Sequence, residues 1–418
     1  MCGIAGFVND MPIDVKCPVL QRMTDMIAHR GPDSEGHYID EHAALGHRRL
    51  SIIDLGGGQQ PIYNEDGSKV ITFNGEIYNY QTLREELIAA GHTFTTKSDT
   101  EVLLHGYEQW GVDLLQRVRG MFTFVIWDKN KQELFGARDH FGIKPFYYAK
   151  MNGTFMYASE IKSLLRHPDF VKELNAEALK PYMTFQYPAI GETFFKGVYK
   201  LPEGHYFTYR DGKMDIHRYY DEDFREGKQK LGELVNSIDQ TVCDSVKAHQ
   251  IADVEVGSFL SSGVDSSYVA AVARPQHTYS IGFGKGTYNE SQQAGELAEL
   301  LKLNNTAESL TDEEAFAAFP RIQWHLDEPD SNPSCVPLYF LSALAAKDVK
   351  VVLSGEGADE LFAGYIDYGV HTKFKPIKVV TRWLTHLPAG ARKAIARFCK
   401  GKTFPVSYTH LRAHETVL

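Results

Sequence analysis

Residues 254–267 read VEVGSFLSSGVDSS, an apolar run that leads directly into a loop of small residues. A strand, a Ser/Gly-rich loop and then the apolar helix around Val269–Ala273 are typical of a parallel sheet covered by helices. The same order returns where the strand Val351–Leu353 precedes Ser354–Ala358, and Tyr279–Phe283 supplies a strand between them. This part of the chain is predicted to be an α/β doubly wound domain with ligands at the carboxyl ends of its strands.

The preceding part of the chain has a different pattern, in which short strands are interspersed with amphipathic helices. Four apolar segments predict strands: Val70–Phe73, Phe122–Trp127, Phe146–Ala149 and Tyr206–Tyr209. Leu83, Leu87 and Ile88 are expected on one face of a helix that Gly91 ends. Antiparallel sheets with packed helices, an α+β arrangement, are the expected result.

A polar, charged stretch separates the two patterns. We predict a first domain over 1–208, a connecting segment over 209–232 and a second domain over 233–405. Val406–Thr416 (VSYTHLRAHET) has no hydrophobic period and resembles the translation of a sequencing adaptor. Residues 406–418 are therefore interpreted as an assembly scar that leaves the second domain incomplete, with a genuine polar tail as the alternative.

Composition excludes several classes of function. The 418 residues carry a net charge of −10, which provides no basic footprint for nucleic acid. Apolar runs fall short of the roughly 20 residues that a membrane helix needs, and no signal-peptide pattern is expected. The five cysteines lack metal or disulfide spacing and favour a reducing cytoplasm, and none of the 17 histidines forms a recognisable ligand pair. A soluble, intracellular, multidomain enzyme is expected.

Cys2 stands directly after the initiator methionine. Removal of Met1 would leave a thiol and a free α-amine on one residue. With pKa values near ~8 for such an amine and ~8.5 for a thiol, the amine can serve as a built-in base. Taken alone, cysteine at this position is weak evidence, because most such residues are simply small side chains near a terminus. The other cysteines, Cys17, Cys243, Cys335 and Cys399, are interpreted as inert packing residues.

Further motifs accompany this cysteine in a fixed order: Cys2–Phe7 (CGIAGF), Arg30–Asp33 (RGPD), Arg49–Asp54 (RLSIID), Phe73–Asn79 (FNGEIYN), Ser98–Glu101 (SDTE) and Arg138–Gly142 (RDHFG). The set closely resembles the class II, amino-terminal-nucleophile glutamine amidotransferases over about the first 200 residues. The resemblance implies a four-layer αββα sandwich in which Cys2 attacks the glutamine amide. The Arg30 and Arg138 motifs are expected to support the pocket without touching substrate.

The resemblance assigns a task to each residue of the pocket. The Asn74 amide and the Gly75 backbone N–H would donate to the oxyanion. Arg49 would bind the α-carboxylate of glutamine and Asp99 its α-ammonium, with Glu76 orienting that group. Without this context, Asn-Gly would instead predict a hairpin turn, and the arginine and aspartate would be surface ion pairs.

Ser261–Ser267 is similar to the pyrophosphate loop of enzymes that cleave ATP between the α and β phosphates. Small residues at a helix amino terminus suit phosphate oxygens. The resemblance implies that Ser261, Gly263, Ser266 and Ser267 bind pyrophosphate and that Asp265 holds Mg²⁺. Ser262 stands where the family usually has glycine. The alternative is a plain helix cap.

Ser354–Glu360 (SGEGADE) is the second motif at a strand end. Together the two loops closely resemble the synthetase domain of the glutamine-hydrolysing asparagine synthetases. In that family's terms Glu356 deprotonates ammonia at a β-aspartyl-adenylate, and Asp359 shares Mg²⁺ with Asp265. An acidic cluster that complements a helix dipole is the alternative.

Four further positions are assigned to the nucleotide by the same resemblance. Ser354 and Gly355 would line the nucleotide and the intermediate. Leu260 and Ile281 would flank the adenine, with core packing at strand ends as the alternative. Asp327-Glu-Pro329 is expected to begin a substrate-side loop, with a helix-ending turn as the alternative.

The paired domains imply ATP-dependent synthesis of asparagine from aspartate, with glutamine as amide donor and AMP and pyrophosphate as products. A shielded route for ammonia is expected, because free ammonia in neutral water is mostly protonated. The resemblance also allows a homodimer. If the chain is truncated, we expect it to retain glutamine hydrolysis and to lose most of the synthesis. Three alternatives stay open: amidation of another carboxylate, in a surface polysaccharide or secondary metabolite, a simple hydrolase that uses only Cys2, and a non-enzymatic nucleotide-binding module.

Overall fold

The computed structural model describes residues 1–223, 227–283 and 291–365. By its contacts the chain divides into a unit that runs to Ser354 and a second that begins at Gly355. Cys399 and the predicted scar at 406–418 lie outside the described residues. Within the described residues no helix combines the length and the apolar character needed to cross a bilayer.

The first unit begins with two six-stranded antiparallel sheets. Their strands are β1 Gly3–Val8, β2 Ser34–Ile39, β3 Ala43–Arg49, β4 Ile62–Tyr63, β5 Lys69–Ile77, β6 Gly120–Asp128, β7 Glu133–Arg138, β8 Tyr147–Met151, β9 Thr154–Ala158, β10 Val198–Lys200, β11 His205–Arg210 and β12 Lys213–Arg218. One sheet has the order β10-β8-β9-β1-β3-β2 and the other β12-β11-β7-β6-β5-β4. All four predicted strands are confirmed with shifted or longer bounds.

Helices cover the outer faces of both sheets. They are α1 Ile13–Asp25, α2 Tyr80–Ala89, α3 Asp99–Trp110 and α4 Ile161–Leu164. The same part of the chain also contains the short α5 Leu179–Phe185, which buries no residue, and 3₁₀ turns at Gly111–Gln116 and Ala176–Ala178. Because side chains alternate along a strand, Val70 of β5 packs between the sheets while Ile71 packs against α2 and α3. A third apolar layer joins α1 and α4 to the other sheet. The predicted αββα sandwich is confirmed, and residues 3–218 are called the sandwich domain below.

Two details of the sequence prediction are wrong. The first domain does not end at 208, because β11 and β12 pair as the edge of a sheet that runs to Arg218. Ile88 does not share a face with Leu83 and Leu87: it is 51% exposed, whereas the other two are buried. A spacing of five residues rotates a side chain about 140° around a helix, whereas a spacing of four nearly completes a turn. Gly91, with φ of +104°, follows the helix as predicted.

The rest of the first unit is a parallel sheet with helices between its strands. Its elements are α6 Leu231–His249, β13 Val256–Phe259, α7 Val264–Ala273, β14 His277–Phe283, α8 Ser291–Leu301, β15 Asn304–Leu310, α9 Asp312–Leu326, α10 Cys335–Ala345 and β16 Val351–Leu353. All strand pairs in it are parallel, which confirms the doubly wound α/β prediction. Residues 231–354 are called the parallel-sheet domain below. In the second unit the described part contains one helix, α11 Ala358–Phe362.

The strand order β15-β14-β13-β16 creates a topological switch point. The chain runs outward from β13 through β14 to β15 and then returns to β16 on the other side of β13. The strand order therefore reverses between β13 and β16, and open α/β sheets bind ligands in the crevice at the carboxyl ends of the strands at such a reversal. Ser261–Ser267 follows β13 and Ser354 follows β16, so both predicted loops begin at this crevice.

Candidate active sites

Cys2 lies at the start of β1, beside the turn that follows β3. The backbone N–H of Leu50 donates to Cys2 Sγ at 3.4 Å, and Sγ lies 3.6 Å from the Leu50 carbonyl oxygen. Arg30 Nε donates to the Cys2 carbonyl oxygen at 2.9 Å. Burial raises the pKa of the Cys2 thiol. The sulfur is therefore held at a defined position, but its surroundings favour the neutral thiol unless a base is close.

In the chain as described, the α-amine belongs to Met1, one residue before the thiol. Burial lowers the pKa of this amine to about 5. Two other ionisable groups lie in the same buried region: burial raises the pKa of Glu76 to about 7 and lowers that of Lys144 to about 8. Lys144 Nζ contacts Met1 Sδ at 2.9 Å. Sequence reasoning missed Lys144, because its position five residues after Asp139 matches no chemical motif.

Asn74 and Gly75 lie inside β5, where they pair with Thr123 and Phe122 of β6. They form no hairpin turn, so that alternative is wrong. Both polar atoms of the Asn74 side chain are buried and have no hydrogen-bond partner within the described residues. Because side chains alternate along a strand, Asn74 lies on the same face of β5 as Val70, which packs between the sheets. Cys2 precedes Ile4 of β1 by two residues, and Ile4 also packs between the sheets, so Cys2 is expected on that face too. An unsatisfied buried amide on that face is suited to a polar ligand.

The glycine at position 75 is required by strand packing. A Cβ placed there would lie 2.2 Å from the Met121 carbonyl oxygen and 2.7 Å from Phe122 Cα. Glycine at position 75 therefore permits the close approach of β5 to the neighbouring strand β6. The role of the Gly75 N–H toward an oxyanion stays a prediction.

Arg49 and Asp99 are buried residues, so they are not surface ion pairs. Arg49 Nη2 donates to the carbonyl oxygens of Ile53 and Asp54 at 3.0 and 2.7 Å. Asp99 is the first residue of α3, and its carboxylate accepts from the Ile77 N–H at 3.0 Å. Burial raises the pKa of Asp99 to about 6. Both side chains are therefore oriented by backbone groups, as ligand-binding residues need to be.

The Arg138 motif has a structural role. The Arg138 guanidinium donates to the carbonyl oxygens of Lys144, Leu201 and Gly142 at 2.8, 2.7 and 2.6 Å. The Asp139 carboxylate accepts N–H groups of the same turn, including that of Lys144 at 3.0 Å. These contacts position the turn that carries Lys144.

Arg30 begins a chain of buried charges that reaches the parallel-sheet domain. Its Nη1 donates to Glu160 at 2.9 Å, and Lys162 pairs with both Glu160 and Asp327, the latter at 2.8 Å. The Ile161 N–H also donates to Asp327 at 2.6 Å. Sequence reasoning missed Glu160 and Lys162, since neither belongs to a periodic pattern or motif.

The prediction that Asp327-Glu328 begins a substrate-side loop is not supported by the contacts of these two residues. Asp327, with φ of +64°, ends α9. Glu328 accepts from the Phe194 N–H at 3.1 Å and pairs with Lys200 at 3.3 Å. Both carboxylates thus join the two domains, and Asp327 does end a helix, as the alternative held. A substrate-side role for the loop that follows Pro329 stays a prediction.

Ser261–Ser267 forms a loop whose hydroxyl groups bond to one another. Ser261 Oγ and Ser266 Oγ lie 2.7 Å apart, and the Gly263 N–H donates to Ser261 Oγ at 3.1 Å. Gly263 precedes α7, and no side chain caps this helix. The plain-cap alternative is therefore wrong, and the first N–H groups of α7 face outward in a segment whose Val264 is 81% exposed. Uncapped N–H groups at a helix start suit an anion.

Leu260 and Ile281 differ in their surroundings. Leu260 is buried with Ala270, Ala294 and Ala298 in an apolar cluster, so its side chain has the core role that was the alternative. Its N–H donates to the Tyr279 carbonyl oxygen at 2.8 Å. Ile281 is half-buried near the end of β14. Contact of either residue with an adenine stays a prediction.

The last motif crosses from one unit to the other. Ser354 ends the first unit, whereas Gly355, Glu356 and Asp359 belong to the second. Glu356 is exposed, and Asp359 lies in the first turn of α11. A Cβ at Gly364 would lie 2.0 Å from Asp359 Oδ1, so the glycine permits the chain to fold back over this carboxylate. The sharing of Mg²⁺ with Asp265 stays a prediction.

The cysteines other than Cys2 differ from their predicted role in one case. Cys243 and Cys335 are half-buried, but Cys17 on α1 is exposed and is not a packing residue. Its neighbour Lys16 takes the buried position on that helix.

Comparison with known families agrees with both halves of the chain. A family model described as a glutamine amidotransferase domain matches residues 1–220, and one described as asparagine synthase matches residues 237–405. The curated relatives include asparagine synthetase [glutamine-hydrolyzing] 1 of Bacillus subtilis strain 168, 43% identical over 94% of this chain and 62% of that protein. A putative asparagine synthetase [glutamine-hydrolyzing] of Mycobacterium tuberculosis H37Rv is 37% identical over 96% of this chain and 66% of that protein.

A third relative, from Methanocaldococcus jannaschii, is named putative asparagine synthetase [glutamine-hydrolyzing] 2. It is 34% identical over 88% of this chain and 76% of its own length. The chain spans 62% and 66% of the lengths of the first two relatives.

Fold and site together define a two-domain protein of the amidotransferase class, an amino-terminal-nucleophile sandwich followed by a parallel nucleotide-binding-type sheet. Within that class, the chain belongs to the glutamine-hydrolysing asparagine synthetase family.

Proposed function

We propose that the protein containing this chain makes asparagine from aspartate, with glutamine as amide donor and ATP as activating co-substrate. The single observation that carries the proposal is the buried Asn74 amide on the inter-sheet face, which has no partner among the described residues and lies in a sandwich domain that directly follows Cys2. Family membership supports the same assignment. ATP chemistry is supported by the uncapped Ser261–Ser267 loop at the switch point.

In the glutamine step, Cys2 Sγ attacks the side-chain carbonyl carbon of glutamine. The α-amine that Met1 removal places on Cys2 takes the thiol proton and returns it to the departing ammonia. The Asn74 amide N–H donates to the oxyanion, and Asp99 and Arg49 hold the two α-groups of the substrate. Water then hydrolyses the γ-glutamyl thioester and releases glutamate.

In the synthetase step, the aspartate β-carboxylate attacks the α-phosphorus of ATP and pyrophosphate leaves. The α7 amino terminus and its serines bind the departing phosphates. Asp265 and Asp359 are oxygen donors of the kind Mg²⁺ takes, and the ion would neutralise phosphate charge when bound. Ammonia attacks β-aspartyl-AMP, Glu356 accepts its proton, and AMP leaves.

Ammonia released at Cys2 must reach the adenylate without being protonated by bulk water. The buried charge chain from Arg30 to Asp327 ties the Cys2 backbone to the parallel-sheet domain. The contacts of Lys350 with Asp33 at 2.6 Å and of Arg119 with Asp244 at 2.7 Å add further links between the domains. These contacts support a fixed relation between the sandwich domain and the start of the nucleotide site.

The proposal is tested with the complete gene product supplied with aspartate, ATP, Mg²⁺ and either glutamine or an ammonium salt. Glutamate, asparagine and AMP are measured together. Wild type should form asparagine and AMP in equal amounts from either nitrogen source. Cys2→Ala should lose the glutamine reaction and keep the ammonium reaction, while Cys17→Ala, at an exposed position, should keep both. Glutamate without asparagine, and no asparagine from ammonium, would identify a different acceptor carboxylate and reject the proposal.

A further inference from the structure

Four metal-ligating side chains meet in the sandwich domain, away from Cys2 and from the nucleotide loop. They are Glu65 between β4 and β5, His92 after α2, and His105 and Glu108 of α3. One ligand atom of each lies within 4.8 Å of the others. Because the residues are spread over three segments, sequence spacing alone did not indicate a histidine pair.

Three contacts in the cluster are close to the separations between ligands of a tetrahedral zinc ion. His105 Nδ1 lies 3.2 Å from Glu108 Oε2 and 3.5 Å from Glu65 Oε2, and His92 Nδ1 lies 3.5 Å from the other oxygen of Glu65, Oε1. Zinc bonds of about 2.0–2.2 Å at tetrahedral angles place neighbouring ligand atoms about 3.3–3.6 Å apart. One ligand atom from each of the four residues lies within 4.8 Å of the others, so binding of one small cation would draw the four groups slightly closer.

Both histidines direct the same ring nitrogen, Nδ1, into the cluster. Their other nitrogens have acceptors nearby: His92 Nε2 lies 3.2 Å from Gln109 Oε1, and His105 Nε2, which makes no hydrogen bond within the described residues, lies 3.5 Å from Glu101 Oε1. Histidines that bind metals usually donate their second N–H to such an acceptor, which orients the ring. Glu101 is itself held by the N–H and hydroxyl groups of Thr95 and Thr96.

The cluster also has the charge that a divalent cation requires. Two carboxylates face His105, whose side chain is 1% exposed. Lys69 Nζ lies 3.5 Å from Glu108 Oε1, so a cation already pairs with one of these carboxylates from outside the cluster.

We propose that Glu65, His92, His105 and Glu108 bind Zn²⁺ in a four-coordinate structural site. Two imidazoles and two carboxylates form a donor set that suits zinc, whereas Mg²⁺ prefers six oxygen ligands. The ion would join the β4–β5 turn and the segment after α2 to α3, the helix that begins with Asp99. Its expected effect is to stabilise the sandwich domain around the glutamine-binding residue.

The experiment titrates Zn²⁺ alone into chelator-stripped protein, with a chromophoric chelator as competitor and thermal unfolding as a second readout. Wild type should bind Zn²⁺ and unfold at a higher temperature when Zn²⁺ is present. Mg²⁺ should neither bind at this site nor raise the unfolding temperature. His92→Gln and Glu65→Gln, at positions more exposed than His105, should weaken the binding by more than 100-fold, beyond the 10–100-fold typical of lost outer-shell partners. Both should also lose the shift in unfolding temperature.

The matched control is His277→Gln, which removes a half-buried histidine of β14, 3.5 Å from Glu255 and outside the cluster. This variant should bind Zn²⁺ as wild type does, including any zinc held by cysteines. Equal Zn²⁺ affinity in wild type, His92→Gln and Glu65→Gln would overturn the site, as would zinc binding with no thermal shift. His105→Asn is not used alone, because loss of a buried histidine could unfold the chain.

Discussion

Replacement of Asn74 by alanine should separate activity from stability. The side-chain amide is buried, and neither of its polar atoms has a hydrogen-bond partner within the described residues. A buried polar group without a partner costs roughly 1–3 kcal/mol of desolvation. Asn74→Ala removes that cost and leaves a small cavity, so the free energy of unfolding should stay within about 1 kcal/mol of wild type or increase.

The same change should strongly reduce glutamine hydrolysis. Loss of one oxyanion donor typically lowers kcat by about 10²–10³, equivalent to about 2.7–4 kcal/mol of transition-state stabilisation. The assay measures glutamate release at saturating glutamine and, in parallel, unfolding in urea followed by circular dichroism. KM should change less than kcat, because the oxyanion develops only during the reaction.

Asn175→Ala provides the control, since this buried asparagine has partners. Its side chain accepts from the Glu177 N–H at 3.1 Å and donates to the Thr193 carbonyl oxygen at 3.0 Å. Stability should fall by about 0.5–2 kcal/mol, with kcat retained. The reasoning is refuted if Asn74→Ala keeps kcat within threefold of wild type, or if it loses as much stability as Asn175→Ala.

Three further predictions concern buried charge and the amino terminus. Lys162→Met should lower the free energy of unfolding in urea by roughly 3–5 kcal/mol, because the buried Asp327 carboxylate loses its cation and Glu160 keeps only Arg30 and His29. Lys196→Met, in an exposed pair, should change it by less than about 1 kcal/mol. Burial raises the pKa of Glu76 to about 7, so the folded state holds a proton that the unfolded chain releases near pH ~4.3, and stability should fall as the pH rises from there to about 7. Glu76→Gln should flatten the decline in that window, and an unchanged profile would contradict the assignment. A chain that keeps Met1, as verified by mass spectrometry, should fold but release glutamate at less than about a hundredth of the rate of the processed chain. The reason is that its buried amine is one residue away from the thiol. Comparable rates would exclude the Cys2 amine as the base.

Local pattern was sufficient wherever a prediction depended on alternation or on an ordered motif. The strand β16 has the predicted bounds, and β5 and β6 contain the predicted segments. Ile88 failed because its helical angle was misjudged, and the boundary at 208 failed because pairing between β11 and β12 extends the sheet past the last strong apolar run. The Ile88 error is one of local helix geometry, whereas the boundary error depends on strand pairing that the apolar pattern does not reveal.

The candidate functional residues also form two groups: those that sequence motifs indicate and those that only the fold reveals. Cys2, Arg49, Asn74 and Asp99 occur in ordered motifs. The structure buries Arg49, Asn74 and Asp99 and half-buries Cys2, whose Sγ accepts from the Leu50 N–H. Lys144, Glu160 and Lys162 belong to no motif that chemistry could single out. They matter because burial and the neighbouring charges act on them, and both depend on segments far apart in the chain.

By itself the sequence determined the antiparallel sandwich and the parallel sheet, through the period of its apolar residues. Its ordered motifs of reactive and small side chains also indicated the chemistry of both sites. Only the tertiary structure decided which charges are buried, that the Asn74 amide has no partner within the part of the chain that the structure describes, and that Asp327 and Glu328 join the domains. It alone brought His92 and His105 to the same point. The reason is physical: periodicity is a local property, whereas desolvation and charge pairing are set by every segment that folds against a residue.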